Sequence, residues 1–260
     1  MQKNIKILIL NGFGINADKE LGWAFQKAGG HVDHVHLNHL ITGEKKLDDY
    51  HILAFPGGFS FGDHIASGKV LANIVKHNLI REIEKFIADN KLIIGICNGF
   101  QVLVKMGLIP NLGKNYKIEA SLSYNDSGLF EDRWVYLKKT SNHSPWLKNR
   151  DFFYMPVRHG EGKFIAKNND ILKKINENSC IALQYVNENG NYSVYPHNPN
   201  GSDMHIAGIT SKCGKIFGLM PHPEVFIFAE QHPHFFRKNI TEKDTCMPIF
   251  ENGINYCRQL

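Results

Sequence analysis

Leu92-Ile93-Ile94-Gly95-Ile96-Cys97-Asn98-Gly99-Phe100-Gln101 is the stretch on which the reading of this chain turns. Leu92–Ile96 is an apolar run of the kind buried on both faces of a sheet. A helix is expected to open just after Cys97, with Phe100–Lys105 inside it. Glycines stand two residues before and two residues after the cysteine, which is the pattern of a nucleophile elbow with Cys in place of Ser. Such a turn leaves no room for bulk at those two positions. It also lifts the thiol above the carboxyl ends of the strands, where open α/β sheets bind ligands. Helix N–H groups beside the sulfur favour the thiolate over the thiol. A lone Cys is more commonly a small buried hydrophobe, so the elbow gains meaning only from partners elsewhere in the chain.

Upstream of that stretch, strands and helices alternate. Ile5–Leu10 reads as a buried strand, residues 18–29 as a helix stopped by Gly29-Gly30, and His31–Leu37 as a second strand. Ile52–Phe55 reads as a third strand that breaks at Pro56-Gly57-Gly58, followed by a long amphipathic helix over 67–89. This order predicts an α/β fold whose mostly parallel central sheet has helices on both faces. Downstream, antiparallel strands are expected at about 116–124, 133–139, 152–157, 180–186, 205–211 and 215–220. Asn189-Gly190 is expected to turn a hairpin between Tyr185-Val186 and Tyr192-Val194. From Val225 the pattern is interrupted by Pro233 and Pro248, with a short helix expected over 249–258. The whole of 1–260 is expected to be one domain with a C-terminal extension from about 225.

Composition narrows the classes. The 260 residues are 43% hydrophobic and 21% charged, as expected of a globular chain and not a disordered one. A net charge of +5 is spread without a block of like charges, so neither a nucleic-acid stripe nor a membrane surface is expected. Five widely spaced cysteines without a CxxC argue against a disulfide framework and a structural zinc site. They suit a reducing, cytoplasmic location where a free thiol serves as a reagent. His31, His34, His36 and His39 lack a Cys or carboxylate to complete an evident site, so no metal is expected.

A thiolate needs a proton shuttle. His222 in Met220-Pro221-His222-Pro223-Glu224 lies just past the strand expected at 215–220, and Glu224 can orient its imidazole. At the end of the third strand, the Gly58 N–H could join the Asn98 N–H as an oxyanion hole. Taken singly, each has a blander reading: a surface histidine, a tight turn.

Together, however, Gly95-x-Cys97-x-Gly99-x-Gln101, His222-Pro223-Glu224 and Pro56-Gly57-Gly58 resemble class I, or triad, glutamine amidotransferases. PGGFSFGD at 56–63, GICNGFQ at 95–101, HGEGKF at 159–164, NPNGS at 198–202 and GLMPHPE at 218–224 narrow the likeness, as does Gly14-x-Asn16-x-Asp18-x-Glu20. They are similar to the glutaminase subunits of phosphoribosylformylglycinamidine synthases. Val225, the stretch His64–Lys69 and the long tail depart from the usual pattern, away from the expected triad.

The resemblance implies a flavodoxin-like layout and hydrolysis of L-glutamine to glutamate and ammonia. Cys97, His222 and Glu224 would be catalytic, Gly58 and Asn98 would stabilise the oxyanion, and Gln101, Phe59, His159, Gly160, Asn198 and Ser202 would bind substrate. It implies no cofactor on this chain. ATP and Mg²⁺ would belong to a large synthetase subunit that makes formylglycinamidine ribonucleotide in purine biosynthesis, with a small third subunit in some members. Rival readings are an amidotransferase subunit of another synthetase, a silent regulatory module on the same scaffold, and a different Cys-elbow hydrolase or redox sensor.

Overall fold

The computed structural model describes residues 3–113 and 115–260. Met1, Gln2 and Lys114, which fall inside the expected 1–260 domain, lie outside the described residues. In the first half, β1 (Lys6–Asn11), β2 (His31–His36), β3 (Ile52–Phe55) and β4 (Leu92–Ile96) alternate with helices. These are α1 (Asp18–Lys27), α2 (Leu37–Ile41), α3 (Lys69–Ala88) and α4 (Asn98–Met106). The second half holds β5 (Ala120–Ser123), β6 (Glu131–Lys139), β7 (Phe152–His159), β8 (Lys163–Ala166), α5 (Asn169–Glu177), β9 (Ile181–Val186), β10 (Ile206–Thr210) and β11 (Ile216–Leu219). The chain closes with α6 (Met247–Arg258).

One nine-stranded sheet runs in the order β2-β1-β3-β4-β11-β10-β9-β6-β7. Pairing is parallel from β2 through β11 and antiparallel from β11 through β7. The antiparallel strands therefore extend the parallel sheet instead of forming a second layer. β11, the last strand of the chain, is the seam: it pairs parallel with β4 and antiparallel with β10. α1 packs with α6, and α3 with α4. Every side chain of β3, β4, β9, β10 and β11 is buried, as expected of strands whose two faces are both covered.

Two expectations change. Asn187–Gly190 does turn, with Gly190 N–H donating to Asn187 O at 3.0 Å, but Tyr192–Val194 is not a strand. β9 already has β10 on one side and β6 on the other, so no free edge remains for a returning strand. Tyr192 stacks on His205 instead, and its hydroxyl donates to Gln184 Oε1 at 2.8 Å. The pattern also hid β8 and α5; among the described residues β8 pairs with β5 alone, in a separate two-stranded sheet.

The segment after Val225 is folded against the rest of the chain. Phe226 and His232 lie 5.0 and 5.5 Å from Trp134, on an aromatic row formed by Trp134 and Tyr154 of β6 and β7. Phe250 of α6 meets Phe25 of α1 edge to face at 5.1 Å. Arg150 holds the intervening loop, donating to Asp244 O at 2.8 Å and Thr245 O at 2.5 Å. Among the described residues, no helix is long and apolar enough to cross a membrane.

Candidate active site

Cys97 caps α4 directly after β4, with φ 51° and ψ −105°. A non-glycine residue at positive φ is costly and persists only where its surroundings enforce it. Here the enforcement is visible. Cys97 N–H donates to Leu219 O of β11 at 2.8 Å, and Gln101 N–H donates back to Cys97 O at 3.0 Å. The flanking glycines are sterically required. A Cβ on Gly99 would lie 2.0 Å from Phe55 O, and one on Gly95 would lie 2.6 Å from Gly99 O.

His222 follows β11, and its N–H donates to Pro156 O of β7 at 2.8 Å. Its Nδ1 lies 2.6 Å from Glu224 Oε1, and both residues are buried. Burial opposes charging of the imidazole, but the Glu224 carboxylate and the Cys97 sulfur outweigh it and raise the His222 pKa. Nδ1–H thus faces the carboxylate, leaving Nε2, which has no hydrogen-bond partner among the described residues, for the thiol side. The two groups converge over Gly57, where an added Cβ would lie 2.9 Å from His222 Cε1 and 3.6 Å from Cys97 Cβ.

The glycine loop supplies the facing wall. Asn16 and Ala17 N–H donate to Gly57 O, and Phe59 N–H donates to Gly14 O. These bonds fall on either side of the Gly58 N–H. Asn98 N–H opens α4, where backbone donors have no intrahelical acceptor. The two expected oxyanion donors thus stand on the two segments that flank the sulfur.

Cys97, His222, Gly58, Phe59, Gln101, His159 and Gly160 all line one cavity of about 350 Å³. Arg158, Glu161, Glu20 and Asp63 line it too. They give the walls both signs of charge, as an amino acid's ammonium and carboxylate groups require. Of these, Glu161, Glu20 and Asp63 sit inside the motifs at 159–164, 14–20 and 56–63, and that membership is their signal in the sequence. His159 is buried, and desolvation, with His222 nearby, pushes its imidazole down to about 3. It is therefore neutral at working pH. Gln101 reaches the cavity with both ends of its amide already used: Oε1 accepts from Asn98 Nδ2 at 2.9 Å, and Nε2 donates to Glu161 O at 2.7 Å.

Asn198 and Ser202 do not line the cavity; they support its wall from behind. Asn198 Nδ2 turns back to Ser202 O at 3.2 Å. Ser202 Oγ accepts the Phe164 N–H at 2.9 Å. Between them Asn200, which the sequence did not single out, donates to Gly162 O at 2.9 Å. The NPNGS segment closes on itself, the Asn198 and Asn200 side-chain oxygens accepting the Gly201 and Ser202 N–H groups, and props the 159–164 segment from behind. Asn125, also unanticipated, accepts the Gly162 N–H at 3.0 Å and donates to His159 O at 2.8 Å.

The four N-terminal histidines do not converge. His34 Nδ1 lies 3.4 Å from Asp18 Oδ2, and His39 Nδ1 lies 2.9 Å from Glu44 Oε2. Among the described residues, no group of three or more His, Cys, Asp or Glu is placed to hold a metal ion.

Asn98 itself is buried behind Cys97 and does not line the cavity, whereas Gly58 does. A strained cysteine beside a buried His–Glu pair at one polar cavity is the apparatus of a thiol-dependent amide hydrolase. Residues 4–257 match the family of CobB/CobQ-like glutamine amidotransferase domains, and the chain belongs to that family. It is 40% identical to the phosphoribosylformylglycinamidine synthase subunit PurQ of Methanococcus maripaludis strain C7, over 96% of this chain and 97% of that one. It is also 40% identical to the protein of the same name from Dehalococcoides mccartyi, over 98% of this chain and 99% of that one. Among solved structures, PurLQS from Thermotoga maritima superposes with a TM-score of 0.74 at 29% identity, over 98% of this chain and 99% of that chain.

Proposed function

We propose that this chain is the glutaminase subunit of a phosphoribosylformylglycinamidine synthase. The observation that carries the reading is Cys97 held at positive φ beside the buried His222–Glu224 pair. The pathway assignment is supported by two relatives of that name, each 40% identical over nearly the full length of both chains.

In this reading L-glutamine places its γ-carboxamide over Cys97. The thiolate attacks the carbonyl carbon, and the carbonyl oxygen takes up negative charge between the Gly58 and Asn98 N–H groups. His222 gives its Nε2 proton to the amide nitrogen as the C–N bond breaks, releasing ammonia and leaving a γ-glutamyl thioester. Neutral again at Nε2, His222 takes a proton from water, whose oxygen attacks the thioester. Collapse of the second tetrahedral species expels the Cys97 thiolate and yields glutamate. Glu224 stabilises the imidazolium at the stages where it is charged.

Ammonia free in water becomes ammonium, a poor nucleophile, so the activity is useful only beside a synthetase. The partner is a large subunit that spends ATP with Mg²⁺ to convert formylglycinamide ribonucleotide to its amidine, joined by a small third subunit where the complex has one. Residues 225–260 belong to the same domain, a reading supported by the Phe226, His232 and Phe250 contacts. The location is cytoplasmic. The test is glutamine-dependent formation of formylglycinamidine ribonucleotide by this chain with its synthetase. Activity with glutamine in wild type, lost in Cys97→Ser while ammonia supports both, upholds the reading; a wild type active with ammonia alone overturns it.

A further inference from the structure

Asn98 enters the mechanism above through its backbone; its side chain has a separate place in the site. The carboxamide is buried and spans the gap between the elbow and the glycine loop. Oδ1 accepts the Ser60 N–H at 3.3 Å. Nδ2 donates to Asp63 Oδ1 at 3.2 Å and to Gln101 Oε1 at 2.9 Å. Only one orientation of the amide serves all three partners: two oxygens need donors and one N–H needs an acceptor. Gln101 is fixed in turn, because its Oε1 receives Asn98 and its Nε2 meets Glu161 O.

The loop reached by this amide cannot hold its shape unaided. Phe61, Gly62 and Asp63 stand in succession at φ 55°, 66° and 52°. Two non-glycine residues in that region are costly and need ties from outside. Phe13 O and Gly14 O tie the loop from the β1–α1 side, accepting from Phe61 and Phe59 N–H at 2.8 Å each. Asn98 is the tie on the nucleophile side, and it grips the loop at Ser60, two residues from Gly58.

We infer that the Asn98 side chain is a positioning residue that sets the distance between the two halves of the oxyanion hole. Its own backbone N–H is one donor, and its amide fixes the loop that carries the other. The inference rests on the glutaminase reading and adds to it a role for the side chain. Misplacing a preorganised donor costs chiefly in the transition state, where the oxygen carries its charge.

The test is steady-state glutamine hydrolysis by the complex with the synthetase. Asn98→Ala is expected to lower kcat by about 10²-fold, the cost of losing one oxyanion donor, with KM within about threefold of wild type. Alkylation of Cys97 by iodoacetamide, which needs no oxyanion hole, is expected to keep its rate within about threefold. Exchanging the partners, Asn98→Asp with Asp63→Asn, restores the contact at residue 63 but not the donation to Gln101 Oε1, and is expected to recover about tenfold in kcat over Asn98→Asp alone, short of wild type. Asn98→Ser carries the same kcat expectation should the alanine variant not fold. An unchanged kcat, a loss confined to KM, or an alkylation rate that falls in step with kcat overturns the inference. A wild-type complex silent with glutamine sinks the glutaminase reading as well, whereas active wild type with an equally active Asn98→Ala sinks the inference alone.

Discussion

The two halves of the sheet contribute to the cavity by different means. In the parallel half, Cys97, the glycine loop and His222 all follow the carboxyl ends of neighbouring strands, β4, β3 and β11. Backbone ladders on both sides of those strands fix where each group stands. In the antiparallel half, Arg158 and His159 end the edge strand β7, and Glu161 lies just beyond. Arg158 and His159 pair with Asp132 and Glu131 of β6, but the turn beyond them is held by side-chain amides: Asn125 and Asn200 on Gly162, and Gln101 on Glu161. Cys97 and His222 are thus set by main-chain pairing, and the turn at 160–162 that completes the substrate wall by replaceable side chains. Damage to the first should abolish chemistry or folding, and damage to the second should loosen binding.

The largest effect tests the first half. Cys97→Ser is expected to lower glutamine hydrolysis by about 10⁴-fold or more, because no second group stands in for the nucleophile. A loss under tenfold, by single-turnover assay, would break the comparison at its root. Next, Gly99→Ala places a carbon 2.0 Å from Phe55 O and is expected to cost about 3 kcal/mol or more in urea unfolding. Gly128→Ala, at φ 67° with nothing within 4 Å, should cost only about 1 kcal/mol.

The two buried histidines sharpen the contrast through pH. His159, lowered to about 3 in the fold, leaves the unfolded chain with the extra proton once pH falls below its ordinary range. Stability should then drop by about 1.4 kcal/mol per pH unit, or about 2 kcal/mol by pH 5, relative to His159→Gln. His222 is raised instead, so its contribution is complete below about pH 6.5 and is lost as pH rises through the raised value. Urea titrations across pH should show His159→Gln flattening only the acid limb and His222→Gln only the alkaline one. The smallest effect on turnover belongs to the wall. Asn200→Ala is expected to cost about 1 to 2 kcal/mol and to raise KM for glutamine, with kcat nearly intact. A fall in kcat instead would mean the wall positions the reacting groups too.

The same division explains what could be read in advance. The parallel half was legible because βα alternation, glycines at fixed offsets and apolar runs are local signals. Cys97, His222 and Gly58 stand in that half and line one cavity. β8 and α5 escaped because β8 is four residues long with only β5 for a partner, and α5 buries little besides Ile175. The hairpin at Asn189-Gly190 had the right turn chemistry, but edge occupancy is a property of the assembled sheet. Asn198 and Ser202 belong to a compact motif at 198–202. Their distance from the cavity, and the work of Asn125 and Asn200 behind it, depend on contacts 34 to 38 residues apart in the chain.

The position of β11 has a consequence for how the protein is made. Until residue 219 has left the ribosome, a nascent chain has β4 and β10 exposed as two raw sheet edges with nothing to join them. Each is the kind of edge that invites pairing with the wrong strand. The same late strand carries the histidine to the cysteine, so a ribosome stalled before it releases a product that is incomplete as a sheet and lacks its proton shuttle. The arrival of β11 closes the sheet and brings the histidine to the thiol in one step, and a product truncated before it lacks this route to ammonia.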